Sequence, residues 1–263
     1  MSFLEIKNAS NIKRNTISIN SAERTTGTRN DFTYDLPTPI TDVRLITLNS
    51  VEFPQTIYNI REINNSFTFV SPLGVTHSIS LTPSTYDLPR LLETLVDKIE
   101  AVADGGVDIE IFFDDYEYFT FVSVGGVTSF GLDFGITNSI GSVLGISEQS
   151  FFGITTLTSV EPLNLITDKN LYICSSALTT NTYDTTTTSS GISNVLTKVQ
   201  LNENFGGLIS INREVNIRNK IASLSSIDIS LRDKQNNIIE IQNDNITLTF
   251  DIYSRVFNNP FTV

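Results

Sequence analysis

The chain has 263 residues, 40% hydrophobic and 10% aromatic, enough apolar surface for one large core or two modest ones. Lys and Arg number 17 against 29 Asp and Glu, and the net charge of −12 excludes a surface built as a whole to hold nucleic acid. A single cysteine, Cys174, excludes an internal disulfide, and a single histidine, His77, excludes a multi-histidine metal site.

The charge is unevenly spread. Residues 1–29 hold Lys7, Lys13, Arg14, Arg24 and Arg29 against Glu5 and Glu23, a net of +3, which leaves −15 on the remainder. Asn8, Ser10, Asn11 and Asn15 favour irregular backbone, so residues 1–15 are expected to form an arm. That arm is either a solvated tail or a basic segment that docks on an acidic neighbouring subunit, with packaged DNA the more remote partner. Ile17 and Ile19 begin a short strand, SAERTTGTRND is a polar loop, and FTYDL resumes the strand. In VRLITLNSVEF, Val43, Leu45, Thr47, Asn49, Val51 and Phe53 fall on one face and Arg44, Ile46, Leu48, Ser50 and Glu52 on the other, the period of a strand. Pro37, Pro39 and Pro54 have no N–H to give to a ladder and are expected to bound the pairing.

The order of these segments carries a resemblance. SINSAER, NDFTYDLP, the spaced set Ile40, Val43, Ile46, Leu48, Ser50, Glu52 and Pro54, then IYNI and NNSFTF, resemble the N-terminal segment of structural proteins of large double-stranded DNA viruses, of minor capsid or penton type. Similar segments occur in some tailed-phage virion proteins. The likeness covers roughly the first quarter of the chain and departs at SAER (21–24), where the viral segment more often alternates Arg with Asp. It implies a virion building block and brings no catalytic residue with it.

Further along, FTFV and HSISL, joined by a turn at 72–74, read as a hairpin. Leu88, Leu91, Leu92, Leu95, Val96 and Ile99 recur at helical spacing within 85–102, with Asp87 placed to cap. VDIEIFF and YFTFVSV form a second hairpin, followed by SFGLDFG and by SIGSVLGI, which has room for one helical turn. Hairpin, helix and hairpin make a compact α+β unit. Beyond Pro162, LYICSSAL, NVLTKVQL, GLISINREVNI, IASLSSIDISLRD, NIIEIQ and ITLTFDIYSRVF are strand candidates, and the Thr- and Ser-rich tract 179–193 reads as an exposed loop. Too few strands precede residue 60 to stand alone, and those after 165 would leave open edges. The expectation is therefore a mainly β chain, an antiparallel jelly-roll-type β-sandwich formed by residues 1–62 and 163–263, with 63–162 inserted as an α+β subdomain; tandem domains are the alternative. In that sandwich 43–53 should pair with 221–232 and 246–256.

Chemistry-bearing patterns are sparse. Asp104, Asp108, Glu110, Asp114, Asp115 and Glu117 are the densest acidic cluster, but they lack the spacing of a calcium loop. Asp108 and Glu110 alternate with Val107, Ile109 and Ile111 as the solvated face of a strand whose turn holds Asp114 and Asp115, which leaves Asp104, Asp108, Asp114 and Asp115 as weak metal candidates. Paired-carboxylate glycosidase chemistry usually comes with aromatic sugar-binding surface, and the chain has no Trp. GxGxxG and GxxxxGKS/T are absent, His77 lies in a strand beside a turn, and Cys174, in an alternating apolar run, is expected to be buried and inert. No signal peptide or apolar run of about 18 residues is present, so a soluble chain made in a reducing compartment is expected.

The reading that accommodates these features is a non-enzymatic virion structural protein, a minor capsid or vertex (penton) protein without cofactor. Its expected partners are the major capsid protein, other virion proteins and further copies of itself, with no direct nucleic-acid binding and no membrane span. Contacts are expected through Lys7, Lys13, Arg14, Arg24 and Arg29 and through Thr185, Thr186 and Thr187, in a capsid assembled in the host cytoplasm. A fibre or tail-type receptor-binding protein presenting 179–193, and a polysaccharide-acting enzyme on a β-sandwich, are the alternatives.

Overall fold

The computed structural model describes residues 2–103, 108–113, 118–124, 128–165, 169–178, 183–184, 192–217, 220–242 and 244–256. In chain order its elements are α1 (Phe3–Asn8), β1 (Ile12–Asn20), β2 (Thr26–Gly27), β3 (Asp31–Pro54), β4 (Ser66–Val70), β5 (Thr76–Ser80), α2 (Leu88–Glu100), β6 (Ile109–Phe113), β7 (Phe119–Ser123), β8 (Phe130–Asp133), α3 (Gly141–Leu144), β9 (Ser150–Ile154), β10 (Thr156–Thr158), β11 (Asn170–Cys174), β12 (Tyr183–Asp184), β13 (Ile192–Ser193), β14 (Val195–Gln200), β15 (Leu208–Ile217), β16 (Ile221–Arg232) and β17 (Thr247–Arg255). They fall into two compact units, Met1–Ile57 with Asp168–Val263, and Tyr58–Thr167, so the chain leaves and re-enters the first unit at 57/58 and 167/168 rather than at 62/63 and 162/163.

The first unit is an antiparallel sheet in the order β1-β17-β3-β16-β11-β14, with β2 and β15 also laid on β3. Thr47 pairs with both Asn216 and Asp251, so β15 and β17 occupy opposite edges of β3. β15 and β16 follow one another along one edge, Leu208 opposite Pro54 and Ser230 opposite Asp31. Ile19, Ile46, Leu48, Phe250 and Ile252 share one buried cluster with Leu171, Ile173, Ile227, Ile229 and Leu231. Residues so far apart in the strand order meet only because the sheet curls back on itself, with β3 running through both layers of a jelly-roll-type sandwich.

β3 has 24 residues, and its bends explain how it serves both layers. Pairing with β16 jumps from Leu224↔Ile40 to Ser226↔Asp35, leaving residues 36–39 without a partner on that edge. Pro37 and Pro39 sit in this gap, where a missing N–H costs no ladder bond. The prolines therefore interrupt pairing without ending the strand, contrary to expectation. Asp42 follows with φ of 52°, and its carboxylate lies 2.7 Å from Arg44 Nη2. Against β17, Asn49 and Arg44 are each skipped, at Thr249↔Ser50 to Phe250↔Leu48 and at Tyr253↔Leu45 to Ser254↔Val43. Each extra residue exchanges the faces of the strand. Val51 and Phe53, then Ile46 and Leu48, then Val43 face the main core, while Leu45 packs with Ile6 and Tyr253 elsewhere. Residues 43–53 therefore do not keep the single alternation expected of them.

Two further expectations change. The N-terminal residues are not an irregular arm: Ser2 and Glu5 form a reciprocal capping box on α1, Ile6 packs on Leu45 and Tyr253, and β1 pairs with β17 from Ile12↔Arg255 to Asn20↔Thr247. NIIEIQ is not a strand and makes only the bridge Arg232↔Ile238. Ile239 and Ile241 are buried, but their N–H groups donate to Leu231 O (2.9 Å) and Asn30 Oδ1 (3.0 Å), single partners in place of a ladder.

The second unit contains the sheets β5-β4-β8-β9 and β10-β7-β6 and the helix α2. Asp87 Oδ1 accepts from Arg90 N–H at 3.0 Å and caps α2, whose Leu91, Leu95 and Ile99 are buried with Phe67, Phe69, Phe119, Phe121 and Phe134. SIGSVLGI supplies α3, a single turn; β9 and β10, drawn from SFFGITTLT, are additions to the strands read from sequence.

Candidate interaction surface

The structure divides the basic residues near the N-terminus. Lys7 Nζ donates to Glu214 Oε2 at 2.7 Å and lies 5.9 Å from the Tyr253 ring centroid, fastening α1 to the sheet. Arg14, on β1, lies 2.7 Å from Asp251 Oδ2, and Thr16 Oγ1 donates to Oδ1 at 2.6 Å. Burial works to raise the Asp251 pKa, but hydrogen bonds from Thr16, Arg14 and Asn49 and the charge of Arg14 prevail and hold it below the ordinary 3.8. The hydrogen bond to Asp251, with its charge, raises the Arg14 guanidinium in turn. Arg24 donates from Nε to Gly27 O and from Nη1 to Ser21 O, both at 3.0 Å, folding the loop ahead of β2. Lys7, Arg14 and Arg24 thus hold the fold together. Lys13 is exposed on the outer strand β1, and Arg29 is partly exposed before β3.

The other sequence candidates are placed as follows. Thr185, Thr186, Thr187, Asp104, Asp114 and Asp115 lie outside the described residues. Asp108 is exposed just before β6, and its carbonyl accepts from Val124 N–H at 2.8 Å. No group of three or more His, Cys, Asp or Glu that could hold a metal occurs among the described residues. His77 stands opposite Phe69 on the β4–β5 hairpin, and Cys174 is buried, which pushes its thiol up to about 11, with Arg232 pulling the other way.

One heavily bonded carboxylate is not foreseen from the sequence. Asp228, on β16, accepts from Ser175 Oγ (2.9 Å), Ser176 N–H (2.8 Å), Ser176 Oγ (2.6 Å) and Ala177 N–H (2.7 Å). Burial again works to raise its pKa, and the bonds from Ser176, Ala177 and Ser175 outweigh burial and lower it. The available signal was an acid between Ile227 and Ile229 in an alternating strand, yet nothing local points to donors some fifty residues earlier. Asp228 latches the turn after β11 to β16; it is an acceptor consumed by the fold.

No protein-family model and no curated protein matches the chain. Among solved structures, the mavirus penton protein aligns over 93% of this chain and 100% of its own, at 10% identity and a TM-score of 0.42. A chain of the Sputnik virophage structure aligns over 94% of this chain and 98% of its own, at 13% identity and a TM-score of 0.41. Likeness at that level assigns no function. No helix among the described residues is long and apolar enough to cross a membrane.

Proposed function

We propose that the chain is a non-enzymatic structural protein of a virion, a minor capsid or vertex (penton) protein that forms closed oligomers and contacts the major capsid protein. One observation carries this reading: the segment that resembles the N-terminal segment of such viral proteins contains β3, the strand to which β2, β15, β16 and β17 all pair. The resemblance thus falls on the centre of the sandwich. A sandwich closes its own core and leaves loops for neighbours, and cyclic symmetry multiplies weak lateral contacts into rings. The strongly bonded carboxylates Asp228 and Asp251 accord with a structural use of charge, since their lone pairs are taken by internal donors.

The test is the assembly state of the purified full chain, by light scattering and electron microscopy, alone and mixed with major capsid protein from the same virus. Closed rings, or incorporation at shell vertices, are expected. A chain that stays monomeric and is left out of shells, or one that cleaves polysaccharide, would overturn the assignment.

A further inference from the structure

β14 and β15 are consecutive strands joined by residues 201–207, a connection short enough to close a hairpin. Here the hairpin is open: β14 is paired with β11 and β15 with β3, and no ladder joins the two. The connecting loop is held to the end of β3 instead. Gln55 N–H donates to Gly207 O, Gly206 N–H donates to Gln55 O, and Gln55 Oε1 accepts from Glu203 N–H. Between the strands lies a groove of about 690 Å³, within the range of volumes that hold small ligands and short peptides.

The walls define what fits. Among the described residues β14 has a ladder only with β11 and β15 only with β3, so each keeps one edge without a ladder, and an extended chain laid between them would pair in both directions and join β14 to β15. On the inner side, Ile209, buried in the main core, and Ile211, which packs against it, line the groove, which calls for apolar side chains at alternate positions of the occupant. On the outer side Lys198 and Arg213 are exposed, and Leu208 is 64% exposed. Glu203 is the only carboxylate among the described lining residues, so these two cations make the groove positive on a chain of net charge −12. Arg213 lies where the register of β15 shifts, which ends the straight edge after Asn212.

We infer that this groove is a docking site for an extended acidic segment of a partner polypeptide, about six residues in length like β14, with apolar and acidic side chains alternating, added as a strand between β14 and β15. The apolar side chains cover Ile209 and Ile211, and the carboxylates meet Lys198 and Arg213. The groove has this character whether or not the chain belongs to a virion.

The experiment uses the full chain and three synthetic heptapeptides: valine alternating with glutamate, valine alternating with lysine, and the glutamate peptide N-methylated at alternate residues. Binding is read by fluorescence anisotropy, and the site by hydrogen exchange. The glutamate peptide is expected to bind about tenfold or more tightly than the lysine peptide at low salt, and N-methylation to abolish binding. Exchange should slow in 195–200 and 208–212, and the Lys198→Glu/Arg213→Glu variant should reverse the preference. Absence of binding, equal binding of both charged peptides, or slowed exchange elsewhere in the chain would overturn the proposal.

Discussion

A carboxylate drawn out of water stays ionised only where donors replace the water it loses, and half-buried Asp228 has four hydrogen bonds from the turn after β11. Its folded pKa lies below the ordinary 3.8, so its contribution is fully present above that value and is lost as pH falls through the folded pKa. Asp228→Asn is expected to cost about 2 kcal/mol at neutral pH, because the amide turns donors toward donors. In urea melts at pH 7 and pH 3, the gap between variant and parent should narrow at the lower pH; a gap that stays constant would show that the charge contributes nothing. Asp251 follows the same sign, with Arg14 as an added partner. Neither site was legible in the sequence. A strand acid is usually solvent-facing, and the donors that make these two exceptional lie in strands and turns remote along the chain.

At the scale of elements, legibility follows locality. α2 could be read almost residue by residue, because its spacing, its Asp87 cap and its buried Leu91, Leu95 and Ile99 are set within a few turns of chain. Leu95→Ala is expected to cost about 2–5 kcal/mol of the second unit's stability. Asp87→Ala should cost about 1 kcal/mol. Both are measurable by thermal melting of the helical signal, and equal losses would mean that cap and core are not separable here. β3 could be located but not oriented, since its faces are exchanged at Asn49 and Arg44 by register shifts that only the partner β17 reveals. The N-terminus was misread for a related reason: a helix of six residues gives almost no periodic signal, and of the asparagines that suggest loop Asn8 ends α1 while Asn15 is accommodated in β1, where its Nδ2 reaches Ser254 Oγ at 3.4 Å. Deleting residues 1–14 removes α1, uncovers Leu45 and Tyr253 and leaves Asp251 without Arg14. A large fall in melting temperature is expected, and a truncated chain that melts with the parent would show that α1 and the start of β1 add nothing to the sandwich.

At the scale of the whole chain, the sandwich is made by residues nearly two hundred positions apart. β17 covers β3 from Val43 to Glu52 and is itself the strand on which β1 rests, so its removal strips that edge of β3 together with the ladder that holds β1. The second unit is built differently, with β4 paired to β5 and β6 to β7 as sequential hairpins around α2 and a core of its own. Closing long loops before any contact rewards them makes the first kind of pairing slow, and local hairpins make the second kind fast. Ending the chain after Asp244 should therefore unfold the sandwich, expose residues 43–53 to proteolysis and abolish assembly, while hydrogen exchange in the amides of α2 stays slow. The excised piece 58–167 should fold by itself with a cooperative melt, and should refold faster than the intact chain regains its β17 protection. If residues 43–53 kept full exchange protection in the truncated chain, β15 and β16 alone would suffice to hold β3, and the closure of the sandwich by its C-terminal strand would have to be given up.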